Sequence, residues 1–437
     1  MNLSGWGQFP TLDATVLHPR TEADVARTIA QGPLIARGMG RAYGDAAIAR
    51  RTLSMRHFNR MIAFDGDTGQ LIAESGVTLG EIIDALLPRG WFPAVTPGTK
   101  YVSLGGAIAA DVHGKNHHKD GSFGSFVDWI DVMGPEGTVT RAMAGDDLFH
   151  WTLGGMGLTG IILRAAIRLR RVESGWIHQN LHIAGNLSEA IDIFEDTAAA
   201  TYSVGWIDTV TGGAQMGRSL IMTGEHSTRA QLPLDKRARP LAVPRRKGPG
   251  VPFNFPAFAL NPLSVRLFNM AYYNANIRRP MAGLVDWDSY FYPLDSIDSW
   301  NRIYGARGFM QFQCALPLES SRAGLDALLK AISDSGASSF LSVLKRFGAQ
   351  DSRLSFPTEG YTLALDFPRS QRAIALMPLL DKITADHGGR FYLAKDSRVR
   401  AGTFHQTDPR WTSFAAMRRE TGLARAFASA QSERLSL

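Results

Sequence analysis

Between Pro97 and Gly124 the chain reads PGTKYVSLGGAIAADVHGKNHHKDGSFG, six glycines and three histidines within 28 residues. Glycine at this density costs conformational entropy on folding and leaves little side-chain volume for a core, so it belongs where backbone must come close to something. Runs of backbone N–H groups freed by glycine form concavities suited to a phosphate or pyrophosphate. Asp111, His113, Lys115, Asn116, His117 and His118 place titratable and hydrogen-bonding groups beside that concavity. The stretch predicts a cofactor loop.

At 437 residues the chain exceeds one ordinary core and suggests two or more domains. Hydrophobic residues make up 45% and charged residues 20%, as in a soluble globular protein. A single cysteine, Cys314, excludes an intramolecular disulfide and any Cys-pair zinc motif, and points to a reducing compartment. The opening MNLSGWGQFP has neither a basic start nor an apolar run. No apolar stretch approaches the roughly 18 residues that span a bilayer. A cytoplasmic protein is expected.

The net charge of +7 is modest, but it clusters. Lys236, Arg237, Arg239, Arg245, Arg246, Lys247, Arg266, Arg278 and Arg279 alternate with proline and apolar residues, among them Phe253, Phe255, Phe258 and Leu260. Prolines and glycines argue against a regular helix from 240 to 262. Such a run is ordinarily a solvated loop. Its interleaved aromatics favour instead peripheral docking at the inner face of a membrane. Nucleic acid is not expected, because base-stacking modules carry their aromatics on strands.

Residues 1 to about 175 alternate short strands and helices. Thr21 with Asp24 and Thr78 with Glu81 form capping boxes, and PLIAR, GQLIAESG and IILRAAIRLRR read as strands. From about 176 to 390, LHIA, SVGWIDTV, SLIMTGEH, FMQFQCALPL and YTLALDFP alternate around helices such as SEAIDIFEDTAAA, capped near Asn186. This predicts an antiparallel sheet with helices on one face. From about 391 dense polar chemistry returns in FYLAKDSRVRAGTF.

Two glycine motifs fail as dinucleotide fingerprints. In Arg37–Asp45, RGMGRAYGD, Tyr43 stands where a third glycine is needed. GGMGLTG, from Gly154 to Gly160, matches formally, yet a helix precedes it and a strand follows, the reverse of the required order. Gly154 and Gly155 are either binding residues or structural turns. His113 and His117 have the four-residue spacing of zinc ligands, but Gly114 and Asn116 disfavour a helix and Lys115 places a cation between them. No metal is expected.

RGMGRAYGD, the Pro97–Gly124 loop, GGMGLTGII and YLAKDSR together resemble the flavin-binding signature of the vanillyl-alcohol-oxidase superfamily of FAD-dependent oxidases. Within it the similarity is nearest to the decaprenylphosphoryl-β-D-ribose 2′-oxidase family, the flavoprotein half of an epimerase. FYPLD from Phe291, WNR from Trp300, QFQ from Gln311 and VLKRFG from Val343 extend the similarity across most of the chain. The resemblance implies an α+β, two-domain FAD fold. Residues 1–175 and 391–437 would form the FAD domain, and 176–390 an inserted antiparallel-sheet substrate domain.

It also implies roles. Arg37, Gly38, Met39, Gly40, Arg41, Ala42 and Tyr43 would follow the pyrophosphate. Gly98, Thr99, Gly106, Ala107, Ala110, Gly114, Lys115, Asn116 and His117 would line the flavin, with Gly160, Ile161, Tyr392 and Lys395 completing the cradle. Several relatives carry a flavin-linked histidine where Arg41 stands, so non-covalent FAD is expected. The implied reaction oxidises the 2′-hydroxyl of a polyprenyl-phosphoryl pentose to the 2′-keto sugar, the first half of an epimerisation that makes a cell-wall arabinose precursor. An NAD(P)H-dependent keto-sugar reductase would follow, with quinone or oxygen as electron acceptor; oxidation of free alditols or sugars on the same fold is the alternative. Lys395 and His113, with Tyr43 nearby, are candidates to orient or deprotonate the hydroxyl, although Lys395 could simply contact flavin or phosphate. Gln311, Gln313, Lys345 and Thr362 are substrate-pocket candidates, and for the glutamines cross-strand bonding is the competing reading. Thr362 and Ala364 stand where the mycobacterial-type pocket has asparagine and cysteine, which puts the identity of the sugar in question.

Overall fold

The computed structural model describes residues 1–244, 248, 250–256 and 260–437. Arg245, Arg246, Lys247 and Phe258 of the basic segment lie outside the described residues.

Besides the hairpin-like pair Asn2–Ser4 and Thr11–Asp13, the N-terminal part holds two larger sheets. Strands Thr15–Leu17, Arg51–Ser54 and Ile35–Arg37 pair in parallel. The helix Glu22–Ile29 makes the crossover that parallel pairing requires. It starts at Thr21, whose hydroxyl accepts from Asp24 N while Asp24 accepts from Thr21 N. The second sheet is antiparallel, in the order Val139–Met143, Val127–Met133, Ile161–Arg171, Gln70–Glu74, Met61–Phe64. Helices Leu79–Leu86 and Leu104–Ala109 pack on it through Leu79, Ile82, Leu104 and Ile108. As expected, the GGMGLTG turn lies between a helix, Asp147–Thr152, and a strand, Ile161–Arg171.

An eight-stranded antiparallel sheet follows. Its order is Ala282–Asp286, Trp176–Ala184, Ser219–His226, Tyr202–Ile207, Leu341–Phe347, Gly360–Pro368, Phe309–Pro317, Arg390–Phe391. Alternation along each strand sorts the side chains onto two faces. Phe312, Cys314, Leu344, Leu363, Leu365 and Phe367 point to one face, against helices Leu187–Asp196, Leu318–Ser335 and Gln371–Asp386. Each such fully buried Leu or Phe contributes about 1.5–3 kcal/mol. The registers Gln311↔Asp366, Gln313↔Ala364, Val343↔Ala364 and Lys345↔Thr362 put the polar residues on the opposite face.

After Phe391 the chain returns to the N-terminal layer. Phe427 bridges to Leu34, and Arg434 donates to Asp45 Oδ1 and Asp396 Oδ2, both at 2.8 Å.

Candidate active site

Segments distant in sequence converge on one cavity of about 830 Å³. The glycine turns contribute Gly38 to Tyr43, Gly98, Thr99, Gly105, Gly106 and Gly160. The sheet's polar face contributes Gln311, Gln313, Lys345 and Ala364, and the C-terminal turn contributes Tyr392, Ala394 and Lys395.

Close backbone approach explains two of the glycines. A Cβ on Gly38 would lie 1.9 Å from Ser103 Oγ, the cap of the helix Leu104–Ala109. One on Gly44 would lie 2.0 Å from the Asp396 carbonyl oxygen. Tyr43 N donates to Ala394 O at 2.9 Å, so RGMGRAYGD and AKDSR form a single wall.

Three half-buried lysines face this space. Burial pushes Lys115 down to about 7 and Lys345 to about 8. It holds Lys395 well below the ordinary lysine range, where Lys345 depresses it further and Asp366 partly restores it. Burial conversely raises the Asp366 carboxyl, which accepts from Gln311 Nε2. The Lys395 ammonium sits 3.5 Å over the Tyr43 ring. Lys115 Nζ donates to the Tyr290 carbonyl and lies 4.2 Å from that ring's centroid.

His113 is held differently. Its ring is hemmed by Phe347, Tyr392 and Phe356 at 4.8, 5.0 and 5.7 Å. Thr362 Oγ1 donates to Cys314 O at 2.8 Å and therefore accepts from Gln313 Nε2 at 3.2 Å. The second amide hydrogen of Gln313 then faces His113 Nε2 at 3.3 Å, which makes that nitrogen the acceptor and the imidazole neutral with its proton on Nδ1. Burial keeps its pKa well below the usual value, helped by Lys345, His117 and Lys395. His113 and the Gln313 amide thus fix one another's orientation.

Six expected site residues stand behind the cavity wall. Arg37, itself depressed to about 10 by burial, donates to the Ser4 and Ala47 carbonyls rather than facing an anion. Ala107 and Ile161 pack into apolar cores. Asn116 Nδ2 donates to Ala94 O and Asp120 Oδ2. His117 Nε2 bonds Gln350 Oε1 at 2.7 Å. Thr362 spends its hydroxyl on Cys314 and Gln313, as above. Met39, Ala42, Ala110 and Gly114 do line the cavity, and so does Arg41, stacked 4.0 Å from Trp6.

Of two buried carboxylates, sequence reading passed over Asp366 and placed Asp111 beside the glycine loop without naming its partners. Asp366 was within reach of the alternation in YTLALDFP, which sets it on one face with Thr362 and Ala364. Asp111, fully buried with φ at +38°, accepts from Ser122 Oγ at 2.6 Å, Gly124 N at 2.8 Å, Gln350 Nε2 at 3.1 Å and Ser355 Oγ. It ties the glycine loop to the segment 350–355, contacts that no local pattern announces.

Residues 14–143 match the family of FAD binding domains. The whole chain is 35% identical to decaprenylphosphoryl-beta-D-ribose oxidase of Mycolicibacterium smegmatis, over 97% of that protein. It is 32% identical, over 83% of its length, to the whole of an uncharacterised Streptomyces coelicolor protein. Over 38% of the chain it is 30% identical to a third of cytokinin dehydrogenase 5 of Arabidopsis thaliana. The chain belongs to the FAD-dependent oxidases of the vanillyl-alcohol-oxidase superfamily.

It is thus an FAD-dependent oxidoreductase, and the residues present fit the cofactor of this superfamily. A Cβ direction at Gly98 opens into free space, with nothing within 4 Å. Ser75 Oγ and Arg41 Nε, on residues that line the cavity, are buried without a partner among the described residues. Gly38 to Tyr43, Gly98, Thr99, Gly105, Gly106 and Gly160 would hold the FAD of a superfamily oxidase here. Among the described residues no three His, Cys, Asp or Glu side chains gather as a metal site.

Proposed function

We propose that this oxidase acts on the 2′-hydroxyl of a polyprenyl-phosphoryl pentose, yielding the 2′-keto sugar. The observation that carries the reading is the polarity of the cavity floor. Gln311, Gln313, Lys345 and Lys395 crowd one side. Across the sheet the same face becomes apolar through Val343, Trp206, Val204, Met222 and Leu181. Five strand spacings separate the two ends, about 24 Å. A sugar phosphate suits the first and an isoprenoid chain the second. The named Mycolicibacterium smegmatis relative is an oxidase of such a substrate, which supports the assignment.

When bound, FAD supplies the hydride acceptor for the carbinol C–H. The protein must fix the carbinol carbon and remove the hydroxyl proton. Lys395 is the proton acceptor. Its depressed pKa gives a substantial neutral fraction near neutral pH, and Asp366 stabilises the ammonium formed when the proton arrives. Gln311 and Gln313 hold sugar hydroxyls, while Lys345 and Lys115 offer positive charge to the phosphate. Gln313 is oriented from behind by His113 and Thr362.

Residues 1–175 with 391–437 form the cofactor unit in this reading, and 176–390 the substrate unit. The 2′-keto product suits a downstream NAD(P)H-dependent reductase, and quinone or oxygen regenerates the enzyme. The test is product capture. Incubation with a polyprenyl-phosphoryl ribose followed by borodeuteride should place deuterium at C2′ of the recovered sugar. Deuterium at another carbon, or none, contradicts the assignment.

A further inference from the structure

From Lys236 to Val285 the sequence contains nine lysines and arginines and not one aspartate or glutamate, although the whole chain nets only +7. The rest of the molecule is therefore slightly acidic, and the cationic charge is concentrated in 50 residues. Within them lies the helix Pro262–Asn276, started by Asn261 with Pro262 at its first turn. Its apolar residues are not confined to its buried face. The residues it buries most deeply are Val265, Asn269 and Asn276, and Asn269 Nδ2 donates to Asp208 Oδ1 at 2.8 Å. Its outward face carries Leu263, 66% exposed, Leu267 at 51% and Met270 at 46%, with Phe253 at 62% and Met281 at 49% on the flanking segments. An ordinary surface helix puts its apolar stripe inward and its polar residues in water. Large apolar side chains clustered outward mark an interaction surface.

The position of the helix identifies the partner. Tyr272, Tyr273 and Ile277 pack on Leu181, Trp206 and Leu220, at the apolar end of the cavity floor, and Phe268, Tyr272, Asn276 and Arg279 line the cavity itself. We infer that the helix Pro262–Asn276 is a bilayer-docking element, inserting Leu263, Leu267 and Met270 among the lipids of an anionic membrane while Arg266, Arg278 and Arg279 meet the headgroups. The inference rests on the lipid-linked substrate proposed above, since docking would bring the apolar end of the cavity to the membrane that carries such a lipid. A second copy of the chain is the poorer partner, because a two-fold contact would set this cationic surface against itself.

The test is co-sedimentation of the FAD-loaded enzyme with vesicles of phosphatidylcholine alone and with phosphatidylglycerol added. The wild type should sediment with the anionic vesicles and much less with the neutral ones, and high salt should weaken binding. The triple variant Leu263→Ser, Leu267→Ser, Met270→Ser should bind at least tenfold more weakly. Its turnover of a short-chain isoprenyl-phosphoryl ribose, soluble without detergent, should be unchanged. Wild type that stays in the supernatant, a variant that binds as well as wild type, or a wild-type dimer that the variant breaks would each overturn the docking role. Failure of the substrate reading looks different: vesicles are bound, yet no phosphoryl ribose is turned over.

Discussion

The ammonium of Lys395 stands 3.5 Å above the ring of Tyr43, and the two residues come from opposite ends of the chain. The ring face stabilises the cation by about 0.5–2 kcal/mol, which raises the lysine pKa by roughly 0.4–1.5 units at about 1.4 kcal/mol per unit. Flavin reduction by substrate should increase with pH as Lys395 loses its proton. Tyr43→Leu should move the midpoint of that profile to lower pH, whereas Tyr43→Phe leaves it in place. Lys395→Met should slow reduction about 10²- to 10⁴-fold with FAD still bound. Rapid-mixing measurements across pH check all three, and an undiminished rate in Lys395→Met would remove it from the chemistry.

The half-buried lysines also give stability a pH dependence. In the unfolded chain a lysine keeps its proton up to about 10.5. In the fold Lys115 gives it up near 7 and Lys345 near 8. Above those values the unfolded state binds more protons, so stability rises with pH. The thermal unfolding midpoint should climb between about pH 7 and 9. Above that range the upward shifts of Cys314, Tyr202 and Tyr290 act in the opposite sense. Lys345→Met should reduce the slope and raise the midpoint at pH 7. A flat calorimetric profile would show that these ammonium groups are not desolvated.

The only cysteine should be silent. Cys314 lies on the sheet face opposite the cavity, inaccessible to solvent, with its thiol pushed up to about 12 by burial. Native protein should not react with thiol reagents or lose turnover to thiol-directed inhibitors. Ala364→Cys should create one accessible thiol in the cavity, and labelling it should stop turnover. Mass spectrometry of the labelled protein decides the point.

Arg41 occupies the turn where several relatives bear a flavin-linked histidine, and its guanidinium is stacked on Trp6 with Tyr101 5.1 Å away. An arginine offers no imidazole nitrogen for a covalent link. Acid precipitation should leave FAD in the supernatant, and a yellow pellet would contradict this.

Much of the fold was legible because it is local. The Thr21 and Thr78 capping boxes, the Asn186 cap and the alternating strands of residues 176–390 follow from spacing alone, and all recur in the structure. The turns around Gly38, Gly98 and Gly106 were legible for the same reason, since backbone proximity demands glycine. The roles of Arg37, Asn116 and His117 were not. Their partners, the carbonyls of Ser4 and Ala94 and the amide of Gln350, are fixed by tertiary packing. The role of Asp366 was not legible for a related reason, nor were the partners of Asp111. A buried acid signals itself only once the cations and hydroxyls facing it are known. The helix Pro262–Asn276 carries apolar residues on both its buried and its exposed face, so amphipathicity alone does not orient it.

The most direct test of the proposed function is anaerobic mixing of the purified FAD-loaded protein with polyprenyl-phosphoryl ribose, and separately with ribitol and free ribose, while the visible flavin absorption is followed. The lipid-linked sugar should bleach the flavin within a few turnovers' time, and the free compounds at equal concentration should leave it oxidised. Bleaching by ribitol or ribose with none by the lipid-linked sugar would contradict the account and identify an oxidase of free sugars or alditols.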